Sequence, residues 1–255
     1  KKNKNMKQIM ASEGLVLKTT EYKEQAVIAT LLTKEGLKNY IIRGAKKISS
    51  GTRLLAIPLT KIVFNGTISN GLDTITEGIP QNNYLTIKQD INKMMFVYPI
   101  IEKILTFSSQ VVNNEIFYQF VYEILDLLQT NINSLLVLTI FELKLTYLIG
   151  IAPSIKECVN CGEKVEDGVF SISAGGCYCR KCMSNFPYDL NVSQTKMLKL
   201  LYLIKPQNVD KKLESLVIDD LDTISHVVDL YYQRYLDFIS KAKPVASSIL
   251  NAKKA

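Results

Sequence analysis

The chain has 255 residues, 47% hydrophobic and 22% charged, with a formal net charge of +7. That is long enough for one or two domains with a sizeable core, and too apolar for a disordered chain. One histidine (His226), no tryptophan, and neither a Gly-x-Gly-x-x-Gly nor a Gly-x-x-x-x-Gly-Lys-Ser/Thr run exclude a multi-histidine metal centre and leave dinucleotide or phosphate-loop chemistry unsupported.

Residues 1–10 carry four lysines and two asparagines and no face to bury, so they read as a disordered tail. The tail has no apolar core or small-residue cleavage site, and the expectation is a cytoplasmic chain. The longest apolar stretch, 134–141, runs straight into Glu142 and Lys144, too short for a membrane span.

Residues 11–80 have a β texture. Strands are expected at 14–20, 25–33, 37–43, 59–65 and 73–78, with a Lys-Glu-Gly turn before the third and a Gly- and Ser-containing loop at 44–53. Five short strands without an intervening helix suit a small closed barrel, of the OB or SH3-like kind.

Residues 81–152 turn helical. Apolar residues recur at three- and four-residue steps over 84–109, where Pro99 kinks or splits the segment. Further helices are expected at 114–128 and 135–149, the latter apolar round much of its circumference and so central. Residues 153–187 form a cysteine-bearing insert. Residues 188–255 return to helix at 193–204, with Ser193 as the cap, and at 221–242. Charge is uneven: residues 1–80 hold 13 Lys+Arg against 6 Asp+Glu, which favours the barrel as the polyanion-facing part.

Cys158-Val-Asn-Cys161 and Cys179-Arg-Lys-Cys182 make a C-x2-C-x17-C-x2-C pattern of four-cysteine zinc spacing. A two-residue gap lets two thiolates on one tight turn reach a single ion at about 2.3 Å, and two such turns complete a tetrahedron. Cys177, one residue from Cys179, is the spare thiol. Disulfides are disfavoured by an odd count in a cytosolic chain. Four thiolates leave no open position, so the zinc is expected to be structural.

The order of barrel, helices, four-cysteine insert and helices resembles the RecO family. The likeness is carried by Gly14-Leu-Val-Leu-Lys-Thr-Thr-Glu-Tyr-Lys-Glu, Leu31-Leu-Thr-Lys-Glu-Gly and Ile42-Arg-Gly-Ala-Lys-Lys. It continues through Cys158-x-x-Cys161-Gly, Phe170-Ser, Gly175-Gly176 and Cys179-x-x-Cys182, and ends in Arg234-Tyr-Leu and Ala246-Ser-Ser-Ile-Leu. It implies an α+β multidomain protein: an N-terminal five-stranded OB-fold barrel, then an all-helical domain with the zinc-binding insert. It also implies a bacterial, nucleoid-associated repair and recombination mediator that binds single- and double-stranded DNA. Such proteins anneal strands coated by single-strand-binding protein, act with RecR and sometimes RecF to load RecA, and turn over no substrate. The basic loop here is short and poor in arginine, and Cys177 is an addition.

Arg43, Lys46, Lys47 and Arg53 surround one loop of the barrel and are the expected phosphate contacts, giving salt-sensitive, sequence-independent binding; a solvated loop with ordinary surface charge is the plainer account. Lys18, Lys38 and Lys61 extend that track or face solvent. Of the barrel aromatics Tyr22, Tyr40 and Phe64, Tyr40 is the surface candidate for base stacking. His226 reads as a packed or surface residue, and no catalytic residue is expected. A zinc-stabilised RNA-binding transcription or ribosome-associated factor is the alternative function, and a metal hydrolase is disfavoured.

Overall fold

Alternation along the first five strands sends every second side chain into a shared interior. In the computed structural model, which describes residues 8–243, the strands are β1 (Gln8–Tyr22), β2 (Ala26–Thr33), β3 (Gly36–Arg43), β4 (Thr60–Thr67) and β5 (Asp73–Asn82). They close in the order β1-β2-β3-β5-β4, with β4 returning to β1. All pairings are antiparallel except β3 with β5. Closure depends on β1. Its first half pairs with β4 and its second half with β2, and register shifts between Ile9 and Ser12 and between Val16 and Lys18 bend it from one partner to the other. Ala11 sits at φ 45° in the first shift, and its N–H donates to Asn65 Oδ1 at 2.8 Å. Val16, Leu31, Ile42, Ile62, Phe64 and Ile75 fill the interior.

β1 thus begins at Gln8, inside the stretch expected to be a disordered tail. Lysine content argued against order there, but main-chain pairing to β4 needs no apolar side chain. Residues 1–7 lie outside the described residues, as does the Ala246-Ser-Ser-Ile-Leu tail. The loop after β3 is ordered by its own turns: Lys47 N–H donates to Gly44 O at 2.9 Å and Thr52 Oγ1 to Arg43 O at 2.8 Å, leading into a 3-10 turn at Gly51–Ala56. Gly44, at φ +72°, starts the reversal in a conformation that glycine adopts without strain.

Contacts divide the chain into two compact units, one of Lys1–Lys88 with Asn113–Gln119, the other of Gln89–Val112 with Phe120–Ala255. The first includes the short α1 (Leu85–Lys88). The helices that follow are α2 (Ile91–Phe107), α3 (Asn114–Gln129), α4 (Ser134–Leu148), α5 (Val192–Leu203) and α6 (Lys211–Leu236). α4 is buried on nearly every face and is the element against which α2, α5 and α6 pack.

Three helical stretches differ from expectation. The first helical stretch breaks at Asp90, whose carboxylate caps α2 through Asn92 and Lys93 N–H, and α2 runs on through Pro99. Loss of one main-chain hydrogen bond there is offset by the buried face around Phe96, Val97 and Ile100. Asn191, not Ser193, caps α5 in a reciprocal pair with Gln194. α6 starts ten residues before the expected 221, capped by Asp210, and stops at left-handed Asp237 instead of reaching 242.

The cysteine insert contains a small sheet of order β6-β8-β7, from β6 (Ser154–Cys158), β7 (Gly168–Ser171) and β8 (Gly176–Cys179). A Cβ on Gly168 would fall 2.1 Å from Tyr178 O, so the β7–β8 approach requires glycine. Among the described residues no helix is long and apolar enough to cross a membrane.

Candidate nucleic-acid interface and four-cysteine centre

The β1–β2 turn and the exit of β3 lie at the same end of the barrel, because Tyr22 pairs with Ala26 and Ala26 with Arg43. Between them opens a cleft of about 650 Å³ lined by Tyr22, Lys23, Glu24, Arg43, Gly44 and Lys47, among others. Of the four basic residues expected to contact phosphate, the structure brings Arg43 and Lys47 together here. It does not bring in the other two. The Lys46 ammonium is held by Glu21 at 3.1 Å, and Arg53 is exposed on the 3-10 turn without lining the cleft.

Lys23, which the sequence reading did not single out, joins them; its ammonium lies 5.1 Å from the Tyr22 ring centroid. Its signal was its place in the turn that closes the β1–β2 hairpin. The other lysines are engaged or apart: Lys38 pairs with Glu35 at 3.1 Å, Lys61 with Glu13 at 3.4 Å, and Lys18 is exposed on β1.

Tyr40 is not a surface stacking residue. It is 3% exposed, in phase with Ile42 on β3, and meets Phe64 edge-on at 5.1 Å in the core. Burial, then the charges of Asp73 and Glu35, push its hydroxyl up to about 12. Tyr22 is the half-buried aromatic at the cleft. His226 is exposed on α6.

The four predicted cysteines converge. The Sγ atoms of Cys158, Cys161, Cys179 and Cys182 all lie within 4.8 Å of one another, and Cys177 is not among them. Cys161 and Cys179 are 3.7 Å apart, close to the edge of about 3.8 Å of a tetrahedron with metal–sulfur bonds of about 2.3 Å.

Main-chain turns build both knuckles: Gly162 N–H donates to Cys158 O at 2.9 Å and Cys182 N–H to Cys179 O at 3.0 Å. The sulfurs also accept. Cys179 N–H reaches Cys158 Sγ at 3.3 Å and Asn160 Nδ2 reaches Cys182 Sγ at 3.4 Å. Burial opposes ionisation of Cys158, but N–H groups of Cys179, Cys161 and Asn160 outweigh it and bring the thiol down to about 6. Lys181 joins the knuckles through Glu163 at 3.0 Å. Cys177 lies opposite Cys158 in the sheet, fully buried, and burial pushes its thiol up to about 11.

A second charged cluster, not anticipated from the sequence, lies under the helices. Glu142 on α4 is 0% exposed and meets Lys103 of α2 at 2.9 Å and Lys243 at 2.8 Å; Lys243 also meets Asp229 of α6 at 2.7 Å. Lys103 Nζ sits 5.5 Å and 5.4 Å from the ring centroids of Tyr232 and Phe238. Burial would raise the Glu142 carboxyl, but the two ammonium groups hold it below the usual carboxylate range.

A closed five-stranded barrel of this strand order, with a cationic cleft at one end, followed by a helical part that carries a four-cysteine insert, defines an OB-barrel protein with a four-thiol centre that could hold a metal ion. Comparison with known proteins gives the family. Residues 6–84 match the family described as Recombination protein O N terminal and residues 88–244 that described as Recombination protein O C terminal. The chain belongs to the RecO family. It is 29% identical over 252 residues to the DNA repair protein RecO of Bacillus pumilus, covering 96% of each chain. It is 28% identical over 241 residues to that of Listeria monocytogenes (91% of each) and 29% over 239 residues to that of Bacillus subtilis (91% of each).

Proposed function

We propose that this protein acts in DNA repair as a non-catalytic recombination mediator. It binds single- and double-stranded DNA at the cationic end of the barrel and anneals complementary strands coated by single-strand-binding protein. With RecR, and with RecF, it helps to load RecA. The observation that carries this reading is the cleft lined by three cations, Lys23, Arg43 and Lys47, and one carboxylate, Glu24, in a chain of the RecO family. Annealing requires that two polyanions approach, and a protein that neutralises phosphates without reading bases lowers their repulsion. We propose zinc for the four thiols: the all-sulfur donor set and the tetrahedral spacing suit it. Bound zinc would cross-link the two knuckles, hold the small sheet together and take no part in strand pairing.

Pairing of fluorophore-labelled complementary strands, with and without single-strand-binding protein, tests the function. Accelerated pairing is expected, with an Arg43→Ala, Lys47→Ala variant slower and less salt-dependent. No acceleration by the zinc-loaded protein, or pairing of RNA strands in clear preference to DNA, overturns the proposal.

A further inference from the structure

The cleft at the barrel end has more than a phosphate track needs. Its volume of about 650 Å³ is within the roughly 300–1,000 Å³ of small-molecule sites, where a row of surface lysines would leave no concavity. Its lining includes an aromatic ring: Tyr22, the last residue of β1, is half-buried, and the Lys23 ammonium lies 5.1 Å from its ring centroid. Two cations line the same cleft. Arg43 ends β3, and the Gly44 reversal returns Lys47 to the same cleft. Among the described residues neither Arg43 nor Lys47 is held in an ion pair, unlike neighbouring Lys46. Ala26 and Ile41 add apolar lining. An aromatic ring, apolar lining and two unpaired cations together match a unit that is flat and aromatic at one end and anionic at the other.

We propose that this cleft seats one nucleotide of a single strand, its base against the Tyr22 ring and its phosphate between Arg43 and Lys47. The seat rests on the proposed DNA-binding function and adds a base-dependent element to it. A paired base cannot present its face to Tyr22 while stacked in a duplex, so the seat separates single from double strands, whereas the cations serve both.

The test is equilibrium binding of labelled oligothymidylate, the same oligomer carrying abasic sites, and a duplex, to wild-type protein and to Tyr22→Leu and Tyr22→Phe. Loss of a stacked base predicts single-strand binding about 5- to 150-fold weaker for Tyr22→Leu, retained affinity for Tyr22→Phe, and unchanged duplex affinity. Abasic sites should weaken wild type but add nothing to the Tyr22→Leu loss. Equal binding of oligothymidylate by Tyr22→Leu and wild type overturns the seat and leaves DNA binding standing; failure of wild type to bind any of the three overturns the function itself. Should Tyr22→Leu lose its circular dichroism spectrum, photocrosslinking of a 5-iodouracil oligomer to wild type decides. An adduct on the Tyr22 peptide supports the seat, and adducts confined to other peptides refute it.

Discussion

Replacing Glu142 by leucine removes the carboxylate that both buried ammonium groups share. Lys243 keeps Asp229 at 2.7 Å, but Lys103, 1% exposed, keeps only the faces of Tyr232 and Phe238. Breaking a buried pair from one side costs about 3–5 kcal/mol, because the remaining charge stays desolvated. In a unit of this size that corresponds to a drop in Tm of roughly 6–20 °C. A triple variant, Lys103→Met, Glu142→Leu, Lys243→Met, strips the fully buried charges and leaves Asp229, whose side chain is 41% exposed and reaches water, so it should recover most of the loss. Urea unfolding of the metal-loaded protein, followed by far-ultraviolet circular dichroism, measures both. A Glu142→Leu stability within about 1 kcal/mol of wild type, or a triple variant no more stable than the single one, would show that the buried ammonium groups do not depend on this carboxylate.

Acid should act on the same cluster. The folded-state carboxyl of Glu142 lies below its ordinary value of 4.5, so its contribution is full above that value and is lost as pH falls through the lowered one; Glu142→Gln should flatten the stability profile below pH 4.5. Cys158→Ser should lower bound zinc well below one ion per chain and destabilise the insert, while Cys177→Ser should leave metal content unchanged, both read by elemental analysis. Asn191→Ala removes the reciprocal cap with Gln194 and should cost about 1 kcal/mol in urea unfolding. For Arg43→Ala, Lys47→Ala, the slope of log affinity against log salt should fall in magnitude by about 1.4–1.8 units; an unchanged slope would mean that neither residue meets a phosphate.

What the sequence carries clearly is whatever local pattern imposes. The barrel strands show through alternation, and the same alternation, followed strictly, puts Tyr40 inward with Ile42; its neighbour Asn39 was the wrong guide. The four thiols show because their spacing is itself the geometric requirement of the site. The first turns of α6 were missed although Leu213, Val217 and Leu221 keep a four-residue step, because the intervening charges dilute it. Partnering of charges is beyond local pattern altogether. Glu21 engages Lys46, Glu13 engages both Lys34 and Lys61, and Glu142 meets lysines from α2 and from the end of the described chain. Each pairing depends on tertiary placement, so which lysines of the barrel remain available to a polyanion could be settled only with the fold in hand.

Because β1 bends to serve two neighbours, the barrel has no unpaired strand to offer. An incoming chain meets no strand with a wholly free edge, and the short β3–β5 pairing, Tyr40–Ile42 against Asp73–Ile75, leaves only brief stretches open, so edge joining is disfavoured. Side chains and turns at the rim are therefore the main grip that this unit offers a ligand. Affinity can then be tuned one residue at a time, while the ladder that holds the barrel shut is left untouched.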